Sequence, residues 1–350
     1  MERLLIDDNV RKCAAMYEQA FRAYKFDVPH ELRNIKAKLD QHNGINGLLP
    51  AELNQYKDYL EEIANDYDNA DPIKNLLILQ PHEFQTLIQK YQDPQRFGLV
   101  KLDKDLFYRV QTGGKHSGNQ YKKKFWKLIV DAMHYETYVR PIMVPLIEAL
   151  GIRTCVYCNL QYALTINHSQ GLYELDHRYP KSRYPYLCTS FYNLQPSCPT
   201  CNHGKKNATT DFGLYTDNPA ELHPFHLLTT PQLYLRKRRL DVKNLNIRLI
   251  ASNPKDPLLC TMAASHESDF HINSTYAVVK DVAEETIWRC KAFDDTYKEL
   301  FVKNFPELYS KDALHRFVFG VYSDDSNVHQ RPLTKLTRDI IKDMGVVVSE

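Results

Sequence analysis

Two Cys-x-x-Cys pairs constrain the fold of this chain more than any other feature of its sequence. The pairs are Cys155-Val-Tyr-Cys158 and Cys198-Pro-Thr-Cys201, and 39 residues lie between them. Each pair can turn two sulfurs toward one ion, and four thiolates are a ligand set that tetrahedral zinc prefers. Because four thiolates leave no open position, the spacing predicts a structural zinc site; the alternative is a coincidental set of core cysteines. Cys188 breaks the spacing, so we expect a small buried residue there.

The rest of the composition is ordinary for a globular chain. Hydrophobic residues make up 43% and charged residues 25% of the 350 residues, which excludes a collagen-like or wholly disordered chain. The net charge of +2 gives no basis for general polyanion binding. No stretch reaches the roughly 18 apolar residues of a membrane helix, and the N-terminal residues resemble no export signal. We therefore expect a cytoplasmic protein with reduced cysteines and no membrane partner.

Hydrophobic periodicity predicts an α+β fold with mainly helical regions flanking a small core. Residues 1–150 are expected to be mainly helical, residues 151–215 to form the core, and residues 216–350 to be extended and then helical. Alternation over residues 162–176 predicts a hairpin. A flexible connection is expected at residues 113–118. Helical spacing predicts helices at residues 10–24, 53–63, 83–91, 121–138, 279–305 and 333–344.

Side chains suited to metal binding and proton transfer lie between the two cysteine pairs and directly after the second. Asp176-His177 ends an expected strand, Asn193 follows it, and Asn202-His203-Gly204-Lys205 comes directly after Cys201. Carboxylate and amide oxygens are hard ligands that suit Mg²⁺ or Mn²⁺. A histidine beside them can activate water near neutral pH, and a lysine can hold a phosphate. These parts together suit one-metal hydrolysis of a phosphodiester.

Residues 151–207 resemble the HNH endonucleases, whose ββα-metal core has this layout. The likeness rests on the Asp-His step, on the central Asn of Asn193-Leu194-Gln195, and on Cys-Asn-x-x-Lys at 201–205, all framed by the two cysteine pairs. It implies a small zinc-stapled ββα-metal core with endonuclease activity. It also implies nucleic acid as substrate, with DNA favoured and RNA such as tRNA left open, and products with 3′-OH and 5′-phosphate ends.

The same resemblance implies a role for each site residue. His177 would be the general base that deprotonates the attacking water. Asp176 and Asn202 would hold the catalytic Mg²⁺ or Mn²⁺, although the adjacent His203 could take or share the role of Asn202. Asn193 would hydrogen-bond the loop so that His177 points at the phosphate.

Basic residues in and beyond this segment are candidate nucleic-acid contacts. Residues 151–210 hold six basic and two acidic residues, a local charge of +4, and such charge holds phosphate backbones. The resemblance implies a phosphate-side contact for Lys205. The cluster Arg236–Arg239 suits either a phosphate clamp or a charged edge strand. The full candidate set is Lys181, Arg183, Lys205, Lys206, Arg236, Lys237, Arg238 and Arg239.

A second basic run, Lys122-Lys123-Lys124-Phe125-Trp126-Lys127, has two interpretations. Its lysines and aromatic rings could hold phosphates and stacked bases. Alternatively, the lysines face water along a helix while Phe125 and Trp126 enter the core.

Residues 180–185, Pro-Lys-Ser-Arg-Tyr-Pro, extend the resemblance toward HNH proteins of prokaryotic anti-phage defence, of the Septu-like or retron-linked kind. That likeness implies antiviral defence and an ATPase subunit encoded nearby. The chain itself lacks a Walker motif GxxxxGK followed by Ser or Thr, so a partner would hydrolyse any ATP. Two alternatives stay open. The chain could be a non-catalytic zinc-ribbon module that binds nucleic acid or protein, or a nuclease subunit that only an ATPase partner activates.

Overall fold

The computed structural model describes residues 1–24, 26–39, 44–67, 75–112, 115–167, 170–229, 245–293, 295–306 and 311–346. The cluster Arg236–Arg239 lies outside these residues. Helices and small separate sheets make up the described chain, which is the α+β class that the sequence predicts. Within the described residues, no helix combines the length and the apolar character needed to cross a membrane.

The N-terminal part begins with β1 (Leu4–Leu5) and then consists mainly of helices. Asp7 caps the first helix by accepting a hydrogen bond of 2.8 Å from the backbone N–H of Val10. The predicted helices at 10–24, 53–63 and 83–91 correspond to α1, α3 and α4, whose apolar stripes are buried. The helices are α1 (Asp8–Arg22), α2 (Val28–Lys38), α3 (Pro50–Tyr67), α4 (Phe84–Tyr91), α5 (Pro94–Phe97), α6 (Phe125–Ala132) and α7 (Arg140–Ala149).

The predicted helix over residues 121–138 is wrong at its start. β2 (Ile45–Asn46), β3 (Asp105–Thr112) and β4 (Lys115–Lys124) form an antiparallel sheet, and α6 begins only at Phe125. Residues 122–124 pair instead with residues 105–107 of β3, and the exposed Lys122 side chain forms an ion pair with Asp105. The expected flexible connection is likewise corrected, since residues 115–118 begin β4 and residues 113–114 lie outside the described chain.

The central part contains two short antiparallel pairs and a helix. β5 (Leu164–Asn167) pairs with β6 (Gln170–Leu172), and β7 (Glu174–His177) pairs with β8 (Leu194–Ser197), after which α8 (Pro199–Lys205) begins. The predicted hairpin therefore ends at Leu172, and residues 174–176 belong to a different sheet. Where one sheet gives way to the other, Arg140 donates hydrogen bonds to the carbonyls of Gly171 and Tyr173.

The C-terminal part packs onto the other two. β9 (Tyr215–Thr216) runs parallel to β1, and β10 (Phe225–Thr229) pairs with β11 (Ile247–Ala251). The largest buried apolar cluster takes residues from all three parts, from Met1 to Ile340, so the parts share one core. The remaining helices are α9 (Pro257–Phe270), α10 (Ile272–Tyr276), α11 (Lys280–Ala292), α12 (Asp295–Asn304), α13 (Lys311–Phe319) and α14 (Thr334–Asp343).

Candidate functional site

The four cysteines of the two pairs form one buried cluster. Their Sγ atoms all lie within 4.8 Å of one another, and the Sγ atoms of Cys158 and Cys198 are 4.0 Å apart. Four Zn–S bonds of about 2.3 Å in tetrahedral geometry separate the sulfurs by roughly 3.8 Å. The cluster could therefore bind a metal such as zinc. Cys188 lies outside it, fully buried and 3.7 Å from the Met133 sulfur, as a small buried residue should be.

Local hydrogen bonds shape the turn that carries the first pair. The backbone N–H of Asn159 donates to the carbonyl of Cys155 at 2.8 Å, and that of Leu160 donates to Cys158 Sγ at 3.4 Å. Asn159 has a φ of +51°, a conformation that asparagine tolerates better than most residues. The second pair lies at the start of α8, where Cys198 is the N-cap residue and Cys201 lies within the first turn.

A cleft of about 420 Å³ opens beside this cluster, between β7, the loop that follows it and α8. β7 contributes Asp176 and His177, and α8 contributes Asn202 and His203. The structure thus brings together residues that the sequence separates by 25 positions or more. The cleft is lined by Tyr135, Leu175, Asp176, His177, Pro180, Lys181, Asn202, His203, Lys206 and Asn207.

His177 is held at the end of β7 in one orientation. Its Nε2 lies 3.0 Å from the carbonyl oxygen of Cys188, and its ring centroid lies 4.7 Å from that of Tyr135. A carbonyl oxygen only accepts, so Nε2 carries the proton and Nδ1 keeps a lone pair. Burial, with a smaller contribution from Lys181, lowers the pKa of His177 to about 3. The imidazole is therefore neutral at pH 7 with Nδ1 unprotonated, and the same burial disfavours the imidazolium that forms when Nδ1 accepts a proton.

Asn193 ties the loop between β7 and β8 together. Its Oδ1 accepts from the backbone N–H of Tyr179 at 2.8 Å, and its Nδ2 donates to the carbonyls of Tyr179 and Leu187 at 3.1 and 2.9 Å. The side chain is fully buried. These bonds span the loop that carries Cys188, whose carbonyl orients His177, so Asn193 indirectly supports the position of the imidazole.

Lys205 differs from the expected phosphate contact. Its side chain is 0% exposed, and its Nζ lies 2.9 and 2.8 Å from the two carboxylate oxygens of Asp176. The same ammonium donates to the carbonyl oxygen of His177 at 2.6 Å. Lys205 therefore faces inward because it compensates a buried carboxylate. Burial raises the pKa of Asp176, and the Lys205 charge opposes that effect.

Tyr157 holds Asp176 directly and Gln195 holds it through Tyr157, and the sequence analysis missed both roles. The hydroxyl of Tyr157 donates to Asp176 Oδ2 at 2.5 Å, and Nε2 of Gln195 donates to the Tyr157 oxygen at 2.7 Å. Tyr157 is one of the two residues between Cys155 and Cys158, so the turn of the first cysteine pair also positions the cleft carboxylate. The cysteine spacing could not predict the contact of Tyr157 with Asp176, because the positions inside a Cys-x-x-Cys pair tolerate many residues.

Glu174 is a third residue that was missed. Its Oε2 accepts a short hydrogen bond from Asn202 Nδ2, and its Oε1 lies 3.4 Å from His203 Nε2. A detectable signal existed in the sequence. Glu174 stands two positions before Asp176 on β7, and alternate residues of a strand share one face.

The candidate nucleic-acid residues differ in what they contact. Lys181 Nζ lies 2.6 Å from Glu136 Oε1 and 4.3 Å from the Tyr135 ring centroid, while Lys206 lines the cleft without an ion pair among the described residues. The guanidinium of Arg183 lies over the ring of its neighbour Tyr184. Among the candidates that the structure describes, Lys181 and Lys206 are the two that line the cleft.

The run 122–127 largely follows the second of its two interpretations, with a strand replacing half of the expected helix. Phe125 is fully buried, and Lys123 and Lys127 both pair with Asp131. Lys122 extends from β4 and remains largely exposed.

Comparison with known proteins adds no relative. No protein-family model matches the sequence, and neither a curated protein nor a solved structure matches it significantly.

Proposed function

We propose that this protein is a metal-dependent HNH endonuclease that hydrolyses phosphodiester bonds of nucleic acid. One observation carries the proposal: Asp176, His177 and Asn202 line a single cleft beside a buried four-cysteine cluster. The strand pair β7–β8 followed by α8 has the ββα order of the core that the sequence resembles. The cysteine cluster would hold a structural zinc, and the cleft would carry the chemistry.

The donor atoms around the cleft suit a hard divalent cation. A carboxylate has about four lone-pair positions, so Asp176 can accept from Tyr157 and Lys205 and still offer one to an ion. The side-chain oxygen of Asn202 is a second hard donor. Mg²⁺ or Mn²⁺ bound there would supply Lewis-acid stabilisation of the leaving oxygen.

The chain's own residues account for the remaining steps. Nδ1 of the neutral His177 would accept the proton of the attacking water, because its Nε2–H is committed to the Cys188 carbonyl. Asn193 would keep that carbonyl in place through its loop contacts. Lys181 and Lys206 would hold the substrate phosphates at the cleft.

The biological setting is proposed on the sequence resemblance alone. It favours DNA over RNA or tRNA, a cytoplasmic role in antiviral defence, and an ATPase subunit encoded nearby as partner or activator. The buried ion pair between Lys205 and Asp176 favours a second candidate, a non-catalytic zinc-ribbon binding module. In that module the ammonium would balance the carboxylate permanently, and no catalytic cation would be needed.

The deciding experiment is a cleavage assay on plasmid DNA, single-stranded DNA and total tRNA, with Mg²⁺, Mn²⁺ or EDTA. We expect metal-dependent cleavage that His177→Ala lowers by about 10²–10⁴-fold, the range that a general base contributes. His30→Ala, an exposed histidine on α2, serves as the matched control. Nucleic-acid binding by a folded chain that never cleaves, with or without an ATPase partner, would favour the binding module instead.

A further inference from the structure

Glu174 lies beside the cleft, in contact with two of the residues that line it, and the proposed mechanism leaves it unused. It lies on β7 two residues before Asp176, and its side chain is 32% exposed. Its carboxylate contacts α8 at Asn202 and His203, which are adjacent in the sequence. The contact with Asn202 is the closer of the two.

This contact sets the orientation of the Asn202 amide. Only the Nδ2 end of an amide can donate to a carboxylate, so the chemistry of the pair decides which end faces Glu174. The oxygen and nitrogen of a planar amide lie on opposite sides of its Cβ–Cγ axis, so Oδ1 must turn away from Glu174. Within the described chain no donor reaches this Oδ1, and Asn202 lines the cleft together with Asp176 and His177.

The neighbouring His203 lacks such a fixed arrangement. Its side chain is 74% exposed, and its Nε2 lies 3.4 Å from Glu174, beyond an ordinary hydrogen bond. Because a donor atom that is already oriented loses less conformational entropy on binding, the amide is the better prepared ligand.

We propose that Glu174 is a positioning residue that presents Oδ1 of Asn202 to the divalent cation. The inference rests on the proposed function and specifies its metal site. Glu174 acts only through Asn202 and does not bind the cation itself. Partners that orient a metal ligand in this way typically contribute about 10–100-fold to metal affinity.

The test is a double-mutant cycle read by Mn²⁺ binding to the full chain in calorimetry, with cleavage as a second readout. We expect Glu174→Ala to weaken Mn²⁺ binding by about 10–100-fold while kcat at saturating Mn²⁺ changes by less than about 3-fold. Glu174→Gln keeps an acceptor for Asn202 Nδ2 and should retain most of the affinity. In an Asn202→Ala background, Glu174→Ala should have no further effect.

Several outcomes would overturn the inference. A further loss in the Asn202→Ala background would make Glu174 a ligand in its own right, and a loss in His203→Ala as large as in Asn202→Ala would assign the site to the histidine. Unchanged binding in Glu174→Ala, or no Mn²⁺ binding by the wild type, would also refute it. Glu148→Ala, an exposed carboxylate on α7, is the control for general charge effects, and thermal melts verify the fold of each variant.

The two proposals can fail separately. If the wild type binds Mn²⁺ with the expected variant pattern but cleaves no nucleic acid, the nuclease proposal fails and the role of Glu174 stands. If the wild type cleaves and Glu174→Ala binds Mn²⁺ normally, the nuclease proposal stands and the role of Glu174 is refuted.

Discussion

Replacing Lys205 by methionine separates a buried structural lysine from a substrate-binding one. The side chain is 0% exposed, and that of its partner Asp176 is 7% exposed. Methionine keeps much of the apolar volume but removes the ammonium from both carboxylate oxygens and from the carbonyl of His177. The carboxylate then keeps only the Tyr157 hydroxyl among these partners.

The expected cost follows from this burial. Removing one partner of a buried ion pair costs about 3–5 kcal/mol, whereas an exposed pair is worth only about 0–1 kcal/mol. Because the Tyr157 bond remains, we expect the lower end, about 3 kcal/mol. At about 2–4 °C per kcal/mol, the melting temperature should fall by roughly 6–12 °C. Asp176→Asn combined with Lys205→Met should recover part of the loss, since the uncompensated charge is then gone.

The assay is a thermal melt of each variant beside a salt titration of nucleic-acid binding. Lys206→Met is the matched control, because this exposed neighbour lines the cleft and should affect binding and its salt dependence without lowering the melting temperature. The reasoning is refuted if Lys205→Met melts like the wild type and instead loses affinity with a reduced salt slope. That result would show that Lys205 contacts the substrate phosphate, as the resemblance implies.

Three further changes test other parts of the fold. Cys198→Ser should lose the bound metal and melt at lower temperature, as metal analysis and melts would detect, while the exposed Cys260→Ser should change neither. Hydrogen bonds to Asp339 and Asp343 raise the pKa of His226 to about 9, above its ordinary 6.5. These bonds should therefore stabilise the fold by about 1–2 kcal/mol below pH 6.5, and this stabilisation should be lost as pH rises through 9. In melts across that pH range, His226→Asn should remove the pH-dependent part of the stability. Asn193→Ala should destabilise the fold by about 2 kcal/mol and reduce cleavage; wild-type melting would contradict its loop role.

Short-range patterns predicted the parts of the site that depend on local chemistry. The two Cys-x-x-Cys pairs predicted the four-cysteine cluster because each pair can turn two sulfurs toward the same metal ion. The strand end at Asp176-His177 was also anticipated, whereas the helix that contains Cys201 and Asn202 was implied only by the ββα resemblance. Their meeting in one cleft was an expectation from resemblance, since no local pattern relates β7 to α8.

Side-chain direction was harder to predict than position. Lys205 was assigned to the phosphate from its place in the motif, yet it stands four residues after Cys201 on α8. Residues at that separation lie on one helical face, and Cys201 faces inward. The same argument, applied to the sequence, would have indicated an inward Lys205. The predicted helix at 121–138 failed at its start because three consecutive lysines suit the polar face of a helix, and nothing local indicates that residues 122–124 pair with β3.

Tyr135 illustrates what no local pattern could supply. It belongs to a π-helical turn, Tyr135–Val139, in the N-terminal part, and it lies against His177 some forty positions away. Its contribution arises only because the parts of the chain share one core.

A chain of hydrogen bonds connects the cysteine cluster to the cleft. Gln195 holds the Tyr157 hydroxyl, Tyr157 holds Asp176, and Asp176 holds Lys205. Because Tyr157 lies within the first cysteine pair, any change that loosens this pair also weakens the Tyr157 contact on the carboxylate. A metal in the cluster would thus stabilise the position of Asp176, the proposed ligand of the catalytic cation, without approaching the substrate. Tyr157 would transmit this effect, because it lies within the first cysteine pair and bonds to Asp176.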